Sequence, residues 1–177
     1  MNRNQIVLSA GLLLTAAVAA PVSAGPADPI SSAVSAAPAS LRAGAAVMTM
    51  DGKLLRKGTN GWTCYPDDPG SPGNDPMCVD KNGLAWMNAF MAHKPTPKAV
   101  GLAYMLQGGS DASNLDSSLA KPPTGQAWVA TGPHMMILSA EVAAASGYPT
   151  KQAKPDTTKP YVMYGGTPYA HIMFPVK

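Results

Sequence analysis

Charge, histidine and cysteine are all scarce in this sequence. Charged residues make up 13% of the 177, and the 13 basic side chains include Arg3, which leaves 12 against 10 acidic ones. The longest basic cluster is KLLRK at 53–57. So neutral a chain lacks the electrostatic footprint of a nucleic-acid-binding protein, and it lacks a charge-based means of docking on a membrane surface.

Common catalytic and metal-binding motifs are absent as well. The chain has no Gly-x-Ser-x-Gly elbow, no His-x-x-x-His or Glu-x-x-His spacing and no EF-hand loop. Its carboxylates are few, and none are spaced in the sequence as an acid–base pair. The sequence therefore favours a non-catalytic binding module, which requires no cofactor, over an enzyme.

The first 24 residues have the layout of a secretory signal peptide. Arg3 precedes an apolar stretch from Ile6 to about Ala20, and Val22-Ser23-Ala24 ends in the small-x-small pattern of a cleavage site. No cysteine lies near that site, which argues against a lipoprotein. No second long apolar run follows, so we expect no transmembrane span after cleavage. The sequence thus predicts a periplasmic or secreted protein, with an uncleaved anchor as the alternative.

The two cysteines, Cys64 and Cys78, enclose thirteen residues that are rich in turn formers. A redox-active pair usually lies closer together, as Cys-x-x-Cys, so we predict a structural disulfide formed in an oxidising compartment. Calcium binding is the alternative, although the oxygen ligands of the loop do not follow the EF-hand spacing. Those ligands are Asp67, Asp68, Asn74 and Asp75.

The chain divides into an N-terminal arm and one larger domain. Residues 25–45 are rich in Ala, Ser and Pro and predict a loose arm or a short helix broken by Pro38. Residues 46–177 are enough for a single domain with a hydrophobic core. The long polar loop over 108–126 has a length that is often functional, and disorder is the alternative interpretation.

Within 46–177 the hydrophobic periodicity predicts more strands than helices. A hairpin that turns at Asp51-Gly52 is followed by an amphipathic helix with Asp80 as its N-cap and His93 in its last turn. Two buried strands follow, the second over 126–139, then a short helix capped by Ser139 and a final hairpin. This order predicts an α+β fold: an antiparallel sheet of about five to six strands, with two or three helices packed over one face.

Several blocks of the sequence resemble an uncharacterised family of exported bacterial proteins. They are DGKLLRKGTNGWTC with the later DPMC, then TGPHMMIL, then PYVMYGGTPYAHIMFPV. The resemblance covers most of the chain after residue 24. It implies export, and it implies no activity, ligand or site residue.

A His-x-Met spacing occurs twice, at His134/Met136 and at His171/Met173. Strand alternation places Ile172 on the expected core face of the last strand and His171 with Met173 on the other face. If both strands lie in one sheet with matching faces, two imidazoles and two thioethers form one patch. Aromatic side chains near it, Trp128 and Tyr161 among them, suit a small-ligand site. The candidate ligand-binding residues are His134, His171, Tyr164 and Tyr169.

Three kinds of ligand suit this patch: a small molecule, a metal ion or a cell-envelope component. Imidazole with thioether is a soft donor set, so a periplasmic copper-binding protein, with Cu(I) above all, is one alternative. Its metal ligands would be His134, Met136, His171 and Met173. Zinc would need His93 as a third imidazole ligand. His93 lies in the last turn of the predicted helix, and the favourable interaction of a cation with a helix C-terminus explains its presence there equally well. A hydrolase is the other alternative, with either histidine as base and a side chain of the long loop beside it: Ser110, Asp111 or Ser113.

Overall fold

Residues 28–176, which the computed structural model describes, form four helices and ten strands. The predicted signal peptide and its cleavage site lie outside these residues. The helices are α1 (Pro29–Ser35), α2 (Ala39–Arg42), α3 (Lys81–Met91) and α4 (Ala140–Ala145). The strands are β1 (Ala46–Met48), β2 (Leu54–Arg56), β3 (Thr63–Tyr65), β4 (Met77–Val79), β5 (Gly101–Met105), β6 (Gly109–Asp111), β7 (Val129–Thr131), β8 (His134–Leu138), β9 (Tyr161–Met163) and β10 (His171–Pro175). The fold is α+β, as predicted.

Eight of the strands form one sheet, in the order β2-β1-β3-β4-β5-β8-β10-β9. Its neighbours are antiparallel except for β1 and β3, and β6 pairs with β7 in a separate two-stranded sheet. The predicted five to six strands are too few. Several of these strands have only three residues, which is too short for an alternating pattern to stand out.

The single strand expected over 126–139 is in fact two strands in different sheets. Gly132 and Pro133 separate β7 from β8. Proline has no N–H to donate to a ladder, so the chain leaves the small sheet before this pair and enters the large sheet after it.

The predicted turn and helix caps are confirmed. Gly52 has a φ of +88° in the loop between β1 and β2, a conformation that glycine adopts without strain. The Asp80 carboxylate accepts hydrogen bonds from the backbone N–H of Gly83 at 2.7 Å and of Leu102 at 3.0 Å. Ser139 caps α4 through the Val142 N–H. The position expected for His93 is wrong, because α3 ends at Met91 and His93 lies exposed beyond it with a φ of +53°.

Helices cover both faces of the large sheet, not one as predicted. The side of the sheet that contains Val79 and Ala103 packs against α3. The opposite side packs against α1 near Cys64 and Cys78, and against α4 near Ile172. Central strands that are apolar on both sides need cover on both sides, and this is the physical reason for the second helical layer.

Helix α3 approaches the sheet most closely at its first turn. A Cβ atom placed on Gly101 would lie 2.5 Å from the backbone nitrogen of Gly83, so the helix and β5 meet there without side chains between them. The rest of α3 presents Trp86, Met87 and Phe90 towards the sheet. These larger side chains, further along the helix, border the cavity described below.

Candidate functional site

His134 and His171 lie on neighbouring antiparallel strands and on the same face of the large sheet. The register pairs His134 of β8 with Pro175 of β10, and residues 171 and 175 share a face. The two histidines are therefore four residues apart along the strands, which is roughly 14 Å at about 3.4 Å per residue. The structure brings them to one face and places them towards opposite ends of it.

This face is itself core, contrary to the expectation that the side with Ile172 would be the core side and this one spare. His134 is 1% exposed and His171 is 5% exposed. Met136 and Met173, which share their face, belong to the cluster that packs under α3, while Ile172 belongs to a second cluster on the other side. The N-terminal helix α1 does not cover the histidines, because it packs on that other side.

His134 is a buried neutral imidazole with one unused nitrogen. Its Nδ1 lies 2.7 Å from the carbonyl oxygen of Gly132. A carbonyl only accepts, so Nδ1 carries the hydrogen and Nε2 carries the lone pair. That Nε2 is buried and has no hydrogen-bond partner within 28–176. Burial lowers the pKa of His134 below its usual value, which keeps the ring uncharged at neutral pH. Its cross-strand neighbour on β5 is Met105.

His171 has the same tautomer and a more aromatic environment. Its Nδ1 donates to the carbonyl oxygen of Tyr169 at 2.9 Å, which leaves the Nε2 lone pair as an acceptor. Burial is the main cause that lowers the pKa of His171 to about 4, and repulsion from His134 when that ring is protonated adds to it. The imidazole lies 5.4 Å from the Trp86 ring and 5.6 Å from the Tyr164 ring, between centroids.

The two predicted tyrosines have different positions. Tyr164 is 8% exposed, has a φ of +54°, and donates its backbone N–H to the carbonyl oxygen of Asn114. Burial chiefly, and the negative charge of Asp111 next, raise the pKa of the Tyr164 phenol. The Tyr169 ring packs edge-on against the Phe90 ring, with centroids 5.1 Å apart. Tyr169 does not line the cavity described below.

The methionines of this face pair with one another and with histidine across the strands. Met136 and Met173 are direct cross-strand partners, and Met163 is the partner of His171. The four predicted metal ligands therefore share one face, with the two thioethers adjacent and the imidazoles spread to either side. Within residues 28–176 no group of three or more His, Cys, Asp or Glu side chains is placed to hold a metal ion.

A cavity of about 710 Å³ lies on this face, between α3, the sheet and the loop that follows β6. Of the predicted ligand-binding residues, His171 and Tyr164 line it, while His134 and Tyr169 do not. Trp128, which the sequence also pointed to, lines it with Trp86 and Phe90. Eight methionines supply much of the apolar wall: Met50, Met77, Met87, Met91, Met105, Met136, Met163 and Met173.

The polar loop over 108–126 forms the outer wall of the cavity. Residues 117–121 line it, and β6 at the start of the loop contributes Ser110 and Asp111. Asn114, which is 1% exposed, holds the loop against the rest of the protein through a 2.7 Å bond from Nδ2 to the carbonyl oxygen of Gln152. The loop is therefore anchored at Asn114, just before the residues that line the cavity.

Two carboxylates in the cavity wall are functional candidates that the sequence did not reveal as a pair. Burial, and then the charge of Asp75, raise the pKa of Asp111 to about 7. Burial also raises the pKa of Asp75, and the nearby charges of Asp67 and Asp68 add to the effect. The Asp75 Oδ2 atom accepts a hydrogen bond from the Ser71 hydroxyl, while Oδ1 is buried without a partner in the described part of the chain. The sequence pointed to each one separately, Asp75 as a possible calcium ligand and Asp111 as a possible partner of a hydrolase base, and no spacing marks them as a pair.

The hydroxyl groups considered for a hydrolase have separate environments. The Ser113 Oγ accepts hydrogen bonds from the backbone N–H groups of Leu115 and Asp116, both at 3.0 Å, and so belongs to a turn. Ser110 lines the cavity. No hydrogen bond joins either serine to a histidine among the residues that the structure describes.

The disulfide between Cys64 and Cys78 is present, as predicted. The two residues are directly opposite on β3 and β4, with their Cα atoms 4.0 Å apart. Two acids of the enclosed loop serve its own backbone: Asp67 accepts from the Asp75 N–H, and Asp68 accepts from the Gly70 N–H. These carboxylates brace the turns of the loop, and Asp75 lines the cavity.

Comparisons with known proteins assign no function to the site. No family model, no curated protein and no solved structure matches this chain. The resemblance to a family of exported bacterial proteins therefore stays a prediction. In residues 28–176, no helix has the length and apolarity needed to cross a membrane.

Proposed function

We propose that this protein is an exported binding module whose small-molecule ligand occupies the cavity on the histidine and methionine face. The observation that carries the proposal is the cavity itself. Its volume of about 710 Å³ lies within the roughly 300–1,000 Å³ of pockets that take small molecules. Thioether and aromatic side chains form most of its wall, and methionine adapts readily to the shape of an apolar ligand.

Export is supported by the cysteines and by the N-terminal sequence. A disulfide persists in the periplasm or outside the cell and is rare in the cytosol. We expect N-terminal sequencing of the exported form to begin at Gly25. A chain that begins at Met1 and sediments with membranes would support the anchor instead.

Ligand binding can be tested with Nile red, a neutral apolar dye that fluoresces in apolar surroundings. Ala112 lines the cavity, whereas Ala130 is exposed on the strand that pairs with β6. We expect Ala112→Phe to fill part of the space and weaken Nile red binding about tenfold or more. The matched variant Ala130→Phe adds the same group outside the cavity and should bind as the wild type does. Equal binding by all three proteins, or none by the wild type, would contradict the proposal.

Copper binding is the second candidate, and the cross-strand pairing of Met136 with Met173 favours it. Both thioethers line the cavity, as does His171. Soft donors of this kind select Cu(I) over Zn(II). In titrations with each metal we expect a preference for Cu(I) that the double variant Met136→Leu, Met173→Leu weakens. Met135→Leu, on the opposite face of β8, is the control. Copper binding that is unchanged in the double variant would assign both thioethers to packing.

A further inference from the structure

We propose that the ligand is a lipophilic amine, whose ammonium group lies against the carboxylates of Asp75 and Asp111 while its hydrocarbon part contacts the methionines. The inference rests on the proposed function and adds the chemical class of the ligand. Three features of the cavity support it: the position of the two carboxylates, the balance of charge around them and the polar atoms of the wall that have no partner.

The two carboxylates belong to different segments that meet at the cavity. Asp111 ends β6, and Asp75 lies two residues before β4. Both line the cavity, and they are close enough for the charge of one to affect the proton affinity of the other. One oxygen of Asp75 accepts a hydrogen bond from Ser71, and the backbone N–H of Ser110 also lies close enough to the carboxylate to lower its pKa. The Oδ1 atom is buried and makes no hydrogen bond of normal geometry within the described residues. A buried carboxylate oxygen without a donor is costly, and a ligand N–H group would remove that cost.

No protein cation neutralises this pair in the part of the chain that the structure describes. The ion pairs there join Lys98 to Glu141 and Lys159 to Asp156, and none of these residues lines the cavity. Among the lining residues, Lys121 is the one side chain that is cationic at pH 7, and it is exposed. Three carboxylates lie in the same wall, with Asp68 as the third. The wall is therefore negative where it is polar. An ammonium group complements it, whereas a carboxylate ligand would be repelled.

Other polar atoms in the wall are also available to a ligand. The Nε2 of His171 presents a lone pair, because its Nδ1 hydrogen is used by the Tyr169 carbonyl. Trp86, which is 5% exposed, also lines the cavity, and its buried Nε1–H has no acceptor in residues 28–176. This N–H can bond to an acceptor atom of a ligand but not to its ammonium group. The rings of Trp86 and Phe90 stack with centroids 5.4 Å apart, and an ammonium group gains further from aromatic faces of this kind.

The test compares three probes that share one chain: octylamine, octan-1-ol and octanoate, each titrated calorimetrically into the full exported protein at pH 7. In the wild type we expect octylamine to bind at least about tenfold more tightly than octan-1-ol, and octanoate most weakly of the three. Binding of octan-1-ol without any preference for the amine would overturn this inference and leave the proposed function standing. Binding of none of the three would contradict the proposed function itself.

The role of the two carboxylates is tested by the ratio of octylamine affinity to octan-1-ol affinity in each variant. A general change in cavity shape weakens the binding of both probes and leaves this ratio unchanged. We expect the ratio to fall to about one in the double variant Asp75→Asn, Asp111→Asn. Asp116→Asn, which removes an exposed carboxylate outside the cavity wall, should keep the wild-type ratio. An unchanged ratio in the double variant would overturn the inference.

A measurement on the wild type covers the case in which the double variant does not fold. An ammonium group beside Asp111 stabilises its carboxylate form, so octylamine binding at pH 7 should release about half a proton, and octan-1-ol binding none. The difference appears as a dependence of the binding enthalpy on the ionisation enthalpy of the buffer. Release that is equal for the two probes would contradict the pairing of the ammonium group with Asp111.

Discussion

At the scale of single residues, burial shifts the pKa of Asp111 upwards and that of His171 downwards, and the two groups change stability with pH in opposite directions. The raised pKa of Asp111 makes the folded state lose stability as the pH rises from about 4 to about 7. The lowered pKa of His171 makes the folded state lose stability as the pH falls from about 6.5 to about 4. The pH dependences of stability that Asp111 and His171 cause have opposite signs over the same pH range. Only a comparison of variants separates the two contributions.

We expect Asp111→Asn to be more stable than the wild type at pH 8 and equal to it at pH 4. At pH 4 the folded wild type already carries a protonated Asp111, which asparagine mimics, whereas at pH 8 the wild type bears a partly buried charge. The gain should be on the order of 2–3 kcal/mol, less than the full pKa difference implies because the residue is partly exposed. Urea denaturation at both pH values measures it.

Asp116→Asn is the control for that experiment and should have the opposite sign. The Ser118 side chain and then its backbone N–H lower the pKa of Asp116, so this carboxylate stabilises the fold at neutral pH and not in acid. The variant should lose stability at pH 8 and recover towards pH 3. A similar pH dependence in the two variants would show that the Asp111 carboxyl is not perturbed by its site.

At the scale of elements, Asp80 connects helix α3 to the sheet. One oxygen of its carboxylate accepts from the first turn of the helix and from Leu102 on β5, and its backbone N–H donates to the Leu102 carbonyl. The same region brings Gly83 against Gly101. The helix that forms one wall of the cavity is therefore held by its N-terminal end.

Asp80→Ala should reduce the free energy of unfolding by about 2 kcal/mol, because it removes a helix cap and leaves a strand N–H without its acceptor. Ser139→Ala is the comparison: it removes a single 3.3 Å cap bond of α4 and should cost about 1 kcal/mol or less. Equal losses in the two variants, measured by urea denaturation, would mean that the bond from Leu102 to Asp80 contributes nothing.

At the scale of the whole molecule, the disulfide braces a loop that supplies one part of the cavity wall, including Asp75, while most of the sheet lies outside that loop. The bond closes the loop between β3 and β4, and α3, β5, β8 and β10 all lie outside that loop. Reduction should therefore weaken the fold without removing its central strands.

We expect reduction of the Cys64–Cys78 bond to lower the free energy of unfolding by about 3 kcal/mol, the size expected when a loop of this length is released in the unfolded chain. The fold should persist, as judged by the far-UV circular dichroism of the reduced protein. The variant Cys64→Ala, Cys78→Ala should be as stable as the reduced wild type and indifferent to reductant. A reduced protein with no folded signal would show that the bond is required for folding itself.

The sequence by itself determined the features that a few neighbouring residues specify. The turn at Asp51-Gly52, the caps at Asp80 and Ser139 and the pairing of the only two cysteines are of this kind. Each depends on backbone conformation or on a hydrogen bond between residues close along the chain, or on there being no other cysteine to pair with. The α+β class followed from the same signals.

Only the tertiary structure decided which sheet faces are buried, how many strands join and where a ligand fits. The alternation in β10 shows that Ile172 and His171 face opposite ways, but it carries no information about helices that cover both sides. Asp75 and Asp111 come from segments without periodicity, and no local pattern marks their meeting. The cavity is a space left between a helix, a sheet and a loop. Its shape depends on contacts distant along the chain, and those contacts are settled only when the whole chain packs.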